Sequence, residues 1–291
     1  MKVRGCLLGL VIGIVLTTVI ALLSSGSEMF KGNRVGEIDI TGTILGSRST
    51  LTELKKFRKD SFVKSILIRI DSPGGAVGPS QEIFREVRRT VKVKPVVVSM
   101  GSVAASGAYY IASAASRILA DPGTLTGSIG VIVHIPNMEG LFNKIGYKTV
   151  TIKSGPFKDI GDPGRQMTPA EQALLQTTID STYNQFVRDV SRARNLPEAD
   201  VRKVADGRVI IGEDALKLKL IDQIGNYEDA ILEAGRLGGL KGEPEVERAK
   251  KSKSSLLGLL IGGKADQRLE ELMADSSSCL MYKLPGFGPN P

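Results

Sequence analysis

The apolar positions of this chain come in short runs that change period along its length. "GNRVGEIDITGTI" (32–44) alternates around Val35, Ile38 and Ile40 and reads as a strand. A short polar helix is expected within 50–62, then a buried strand, "VKSILIRI" (63–70), that stops at "DSPGG". "GPSQEIFREVRRTVK" (78–92) places Ile83, Val87 and Val91 at helical spacing. The strand "PVVVS" (95–99) leads into a small-residue segment read as helix, "GSVAASGAYYIASAAS" (101–116), followed by a strand at 117–120. Strands alternating with helices predict a parallel sheet with right-handed crossovers.

Beyond this point the pattern loosens. "DPGTLTGSIGVI" (121–132) is a glycine-punctuated loop running into a strand, "NMEGLFNKIG" a short helix, and "YKTVTIKSG" (147–155) a further strand. A long helix starts at a capping box, with Thr168 as N-cap, Pro169 at the first helical position and Glu171 two residues on. Its face carries Leu175, Ile179, Phe186 and Val190. Residues 204–225 give a turn, an extended piece and a helix, and from Leu240 the composition shifts to that of a linker or tail. "LLGLLIGG" (256–263) is too short to span a bilayer.

At the N-terminus the run from Cys6 to Leu23 has no charge and follows Lys2 and Arg4. It is near the length that spans a bilayer, with its basic end on the cytoplasmic side. A cleaved signal peptide is the alternative; the length of the run favours an uncleaved anchor, and either reading exports the remainder. The expected organisation is an anchor at 1–30, a catalytic domain at 31–240 and a tail at 241–291. The tail ends in "SSSCLMYKLPGFGPNP" and is considered as a peptide-like occupant of a neighbouring copy's cleft.

Composition narrows the chemistry. The 291 residues are 42% hydrophobic with no tryptophan, so the core is aliphatic. The net charge of +8 accompanies no nucleic-acid-binding motif and reads as a solvated surface. Cys6 and Cys279 are the two cysteines, and neither a disulfide nor a metal site follows from them. The one histidine, His134, lies beside Ile135 and Pro136 past a strand, where loop packing or solvent contact is its expected role.

A serine hydroxyl needs a base to act as nucleophile. Without a histidine, a lysine serves only where its ammonium is stripped of water and little negative charge stands nearby. In a parallel sheet, "DSPGG" and the small-residue segment both open at the carboxyl edge, where ligands bind. Glycines there let backbone N–H groups point into a cleft.

The ordered set "DSPGG", "GSVAASGAYYIA", "GTLTGSIGVI", "KSGPFKDIG" and "ADGRVIIGEDAL" resembles signal peptide peptidase A, a family of bacterial membrane-bound serine proteases. The resemblance covers roughly residues 35–240 and implies a ClpP/crotonase-type α/β fold of repeated ββα units. It implies Ser106 as nucleophile, Lys158 as general base, Ser128 as the hydroxyl that orients the lysine, and the N–H groups of Gly75 and Gly107 as the oxyanion hole. Ala108 and Asp162 depart from the residues frequent at their positions; neither removes a catalytic atom. Lys153 is the nearest rival base but lacks the motif position. Asp159 is expected to point away from Lys158, since adjacent residues of an extended segment face opposite sides. Tyr109 and Tyr110 are expected to brace the helix.

The resemblance further implies a homo-octameric ring whose serine and lysine come from one subunit or from two. It implies a single-pass location in the cytoplasmic membrane with the catalytic domain outside the cytoplasm, remnant signal peptides as substrates, and no metal or other cofactor. Two other readings of the same residues are an acyl-CoA enzyme of the crotonase superfamily and a catalytically silent membrane scaffold.

Overall fold

A computed structural model describes residues 32–249 and 281–283. The expected anchor at 1–30, both cysteines and "LLGLLIGG" lie outside the described residues. Among the described residues no helix is long and apolar enough to cross a membrane.

The elements run in chain order as β1 (Arg34–Thr41), α1 (Arg48–Lys59), β2 (Val63–Ser72), β3 (Gly74–Ala76), α2 (Val77–Val91), β4 (Val96–Ala105) and α3 (Gly107–Ser113). Then come β5 (Arg117–Ala120), β6 (Leu125–Gly127), α4 (Glu139–Lys144), α5 (Pro169–Arg194), α6 (Glu198–Arg202), β7 (Val209–Ile211) and α7 (Gly212–Lys217). The last are β8 (Gln223–Ile224), α8 (Tyr227–Leu237), β9 (Glu245–Arg248) and β10 (Met281–Lys283).

The main sheet has the order β7-β6-β4-β2-β1-β9, with β5 beside β4 and β8 beside β5. Every pairing in it is parallel except β6 with β7. Its central strands are buried on both faces, which is why they read as continuous apolar runs rather than alternating ones. Ile66, Ile68 and Ile70 face a large core with Val87 of α2 and Tyr109 and Ile111 of α3. Leu67, Val97 and Leu119 face the other way, onto Ala230, Ile231 and Ala234 of α8. Helices therefore cover both faces of the sheet, and its carboxyl edge is left for the loops.

Four expectations change. The segment 100–105 is strand, not helix: β4 runs through Ala105, and α3 begins only at Gly107. Valines and alanines fit a doubly buried strand as well as a helix, so periodicity could not separate them. No strand forms at 147–155, where Val150 and Ile152 are exposed. The extended run after Gly127 is not a strand either, since β6 ends there. The region past Leu240 is not only linker, because β9 extends the sheet alongside β1. The capping box of α5 forms as expected, with Thr168 Oγ1 accepting the Glu171 N–H at 3.2 Å.

Candidate active site at the carboxyl edge of the sheet

"DSPGG" builds the first wall. After Ser72 and Pro73 the chain turns through Gly74 at φ 101°, a conformation that favours glycine. Ser72 Oγ accepts the Gly74 N–H at 3.1 Å and donates to the Gly42 carbonyl at 2.6 Å, which fixes the corner. Gly75 then lies against the backbone of Ile44, where a Cβ would come within 2.2 Å of the Ile44 carbonyl oxygen. The Ile44 N–H reaches the Gly74 carbonyl, and the Ala76 N–H reaches the Ile44 carbonyl, both at 2.8 Å.

The second wall is the end of β4. It follows β2 residue for residue from Ile66 opposite Val96 to Ile70 opposite Met100, and then Ser72 pairs with Ala104. Two steps along β2 thus match four along β4, a bulge of the kind that re-aims a strand end. Asp71 Oδ1 accepts the Val103 N–H at 3.0 Å and so occupies a donor that the bulge frees from the ladder. Sequence reasoning treated Asp71 as part of a turn; its signal was in the motif, but the register that gives it a partner was not.

Ser106 is the corner itself. It has φ 55° and ψ −117°, between the last residue of β4 and the first of α3. Such a conformation costs a non-glycine residue about 1–3 kcal/mol, and a serine presented on a sharp strand-to-helix turn adopts a strained backbone of this kind. Its N–H donates to the Gly127 carbonyl and its carbonyl accepts from the Tyr110 N–H, each at 2.8 Å. Ser106 is 2% exposed. Gly107 opens α3, and a first-turn N–H has no helical carbonyl to meet. β3 packs against α3, which brings the Gly75 segment alongside this corner.

The tyrosines brace α3 as expected. Tyr109, fully buried, donates to the Leu220 carbonyl at 3.0 Å. Burial pushes its hydroxyl well above the ordinary phenol range. The Tyr110 hydroxyl donates to Asp189 of α5, and its ring meets Phe186 edge-on at 4.9 Å.

Ser128 follows Gly127, which has φ 74°, and itself holds φ 49°. It is 4% exposed, and its N–H donates to the Arg208 carbonyl at 2.8 Å. The ladder places Ala105 opposite Gly127, so Ser106 and Ser128 are the next residues on neighbouring parallel strands.

Lys158 is placed differently. It is exposed, in a turn where its N–H donates to the Gly155 carbonyl at 3.2 Å. Among the described residues no hydrogen bond joins its side chain to Ser106 or Ser128. The single chain therefore does not supply the dry surroundings that a lysine base requires. Asp159 is occupied elsewhere: Lys153 Nζ donates to its Oδ1 at 2.6 Å and Arg165 Nε to its Oδ2 at 3.2 Å. The hydrogen bond from Lys153 holds the Asp159 carboxyl below its ordinary range. Arg165 also donates to both Glu171 oxygens and holds that carboxyl down to about 2. Arg165, which sequence reasoning did not single out, ties the Lys158 turn to the first turn of α5. Lys153 is thus committed to Asp159. His134 is exposed, as expected.

Comparisons with known proteins show the family of the chain. The model of peptidase family S49 matches residues 88–241, and that of the Clp protease matches 45–121. A Synechocystis protein named as a protease, slr0021, is 40% identical over 84% of this chain and 87% of its own. An Enterococcus faecium protein named as a signal peptide peptidase, SppA, is 40% identical over 62% of this chain and 53% of its own. Among solved structures, a membrane-bound stomatin-specific protease, 1510-N, has a TM-score of 0.51 at 16% identity, covering 76% of this chain and 99% of that one. That last likeness concerns the fold alone. Fold, motif order and relatives converge: the chain belongs to peptidase family S49, a family of serine-type peptidases that includes signal peptide peptidase A.

Proposed function

We propose that this chain is a membrane-anchored serine endopeptidase that hydrolyses remnant signal peptides with a Ser106–Lys158 dyad. The observation that carries the reading is Ser106, held at a strained strand-to-helix corner whose helix, α3, packs against β3. In the proposed reaction the neutral amine of Lys158 takes the Ser106 proton as Oγ attacks the scissile carbonyl. The N–H groups of Gly75 and Gly107 hold the oxyanion, and one such donor contributes roughly 3–4 kcal/mol to lowering the barrier. The Lys158 ammonium then protonates the leaving amine, and the neutral lysine activates the water that releases the acyl group. The Ser128 hydroxyl orients the amine. No other group is required by these steps.

The exposure of Lys158 supports assembly with further copies of the chain. In the stretch of chain before it, Leu141, Ile145, Tyr147, Val150, Ile152 and Phe157 are each 41–96% exposed, with Ile152 the most. So many large apolar side chains left exposed in one stretch favour an interaction surface. Its proposed occupant is a second copy, which would bury Lys158 and let the dyad form within or between subunits of a ring. The anchor and the extracytoplasmic location follow the uncharged run at Cys6–Leu23. The deciding experiment compares wild type, Ser106→Ala and Lys158→Ala in detergent on a signal peptide and on a fluorophosphonate probe. Wild type is expected to cleave and to label; Ser106→Ala is expected to do neither. Full turnover by Ser106→Ala would end the proposal.

A further inference from the structure

Between Met100 and Ala104 the register of β4 on β2 slips, and four backbone groups in that stretch take side-chain partners. Arg69 Nη1 donates to the Met100 carbonyl at 3.1 Å. Thr124 Oγ1 donates to the Gly101 carbonyl at 2.8 Å, and Thr126 Oγ1 to the Ala104 carbonyl at 2.7 Å. Asp71 Oδ1 accepts the Val103 N–H at 3.0 Å. Both threonines are buried. Gly101 lets the stretch press onto Asp71, since a Cβ there would lie 2.9 Å from the Asp71 Cγ. One residue past Thr126, the Gly127 carbonyl takes the Ser106 N–H at 2.8 Å. β6 thus grips β4 on both sides of Ala105. Peptide units are rigid planes, so a shift of the Ala104 carbonyl is passed on to Ser106 with little slack. A buried carbonyl that loses its donor is driven to find another.

The structure assigns Asp71, Thr124 and Thr126 to a side-chain clamp that sets where the end of β4 presents Ser106. They are positioning residues, and they act through Ser106. The assignment rests on the proposed role of Ser106 as the nucleophile. A misplacement of about 1 Å at such a group can cost about 10²-fold in rate. The clamp works by hydrogen-bond geometry and not by charge. Asp71 serves it as an acceptor, and the threonines serve it as donors.

The test uses the full-length protein in detergent, carrying Thr126→Val, Thr126→Ser, Asp71→Ala or Asp71→Asn. Valine keeps the shape of threonine and loses the donor. Three readouts are taken: kcat and KM on a chromogenic peptide, the rate of labelling by a fluorophosphonate, and thermal unfolding. Thr126→Val and Asp71→Ala are expected to lower kcat and the labelling rate together by about 10–10²-fold, with KM within about two-fold. Thr126→Ser and Asp71→Asn are expected to restore both rates to near wild type, since serine keeps the hydroxyl donor and asparagine the carbonyl acceptor. Should Thr126→Val not fold, the exposed Asp71 carries the same test. Variants that unfold earlier but react at the wild-type rate while folded overturn the inference. So does a Thr126→Ser protein as slow as Thr126→Val, or an Asp71→Asn protein as slow as Asp71→Ala. In these cases wild type still turns over through Ser106, and the protease reading stands. Labelling that survives Ser106→Ala overturns the nucleophile reading, and the clamp's role with it.

Discussion

The Ser106 N–H donates to the Gly127 carbonyl at 2.8 Å, and Ser106 and Ser128 are two of the four non-glycine residues with positive φ among the described residues. The corner of β4 is thus fastened to the corner of β6. Two backbone positions that serines rarely adopt are held by the same ladder, in which Ala105 meets Gly127. Strain persists only where surrounding structure over-determines it. Here it is over-determined by the sheet on one side and by the packed tyrosines of α3 on the other.

This makes a stability prediction that is separable from activity. Ser106→Gly relieves φ 55° at no steric cost, whereas Ser106→Ala keeps the strain. Both variants are expected to lose turnover. Chemical denaturation should find the glycine variant more stable than the alanine variant by about 1 kcal/mol. Equal stabilities would mean that the corner is not held under strain.

Gly75→Ala tests the opposite wall. Its Cβ would meet the Ile44 backbone, with carbonyl oxygen at 2.2 Å and nitrogen at 2.5 Å, so β3 must shift. Backbone atoms of a neighbouring segment do not yield as a side-chain tip does. The expected result is a fall in kcat of about 10²–10³ with the far-ultraviolet spectrum retained, as for loss of one oxyanion donor. A fall confined to KM would separate the glycine from the reacting carbonyl.

The sheet was legible in the sequence because β2, α2 and β5 each match one template: a short apolar run for the strands, a 3.6-residue stripe for the helix. Ser106 was legible through its motif; its positive φ was not, because it follows from how β4 and β6 are joined. What could not be read was pairing. The slip between Ile70 and Ser72 that gives Asp71 its partner at Val103 is a property of two strands together. "YKTVTIKSG" alternates like a strand, yet Val150 and Ile152 find nothing to pack on in one chain. Likewise "MYK" has no strong strand signal; its extended form depends on the open edge of β3.

Arg165 makes the turn that bears Lys158 acid-sensitive. The guanidinium beside Glu171 lowers its carboxyl from 4.5 in the unperturbed group to about 2. A depressed carboxylate stabilises the fold above the unfolded value, and that contribution is lost as pH falls through the folded one. Order in residues 153–171 is therefore expected to be unaffected above pH 5 and to loosen between about pH 4.5 and pH 2. Hydrogen exchange of that segment across the range checks it. Arg165→Met should give the loosened exchange at neutral pH. A segment equally protected at pH 2 and pH 7 would show that the ion pairs do not hold it.

Lys158 and Lys153 are five residues apart and differ in their partners. Lys153 is committed to Asp159 at 2.6 Å, while Lys158 is exposed next to an exposed Phe157 in the chain. Lys153→Met is therefore expected to leave kcat within about two-fold, and Lys158→Met to lower it by at least about 10³, since a nucleophile without its base retains only what positioning and the oxyanion donors supply. Subunit mixing then asks where the base comes from. If one copy's Lys158 serves a neighbour's Ser106, Ser106→Ala and Lys158→Met proteins, each inactive alone, regain activity when co-assembled, because some clefts receive both groups intact. If the dyad closes within a subunit, the mixture stays inactive at every ratio. The face bearing Ile152 predicts the same dependence on assembly by another route: Ile152→Asp should leave a folded, smaller particle whose Ser106 no longer reacts with a fluorophosphonate. A monomeric Ile152→Asp protein that labels at the wild-type rate would show that the lysine finds its dry surroundings without a neighbour.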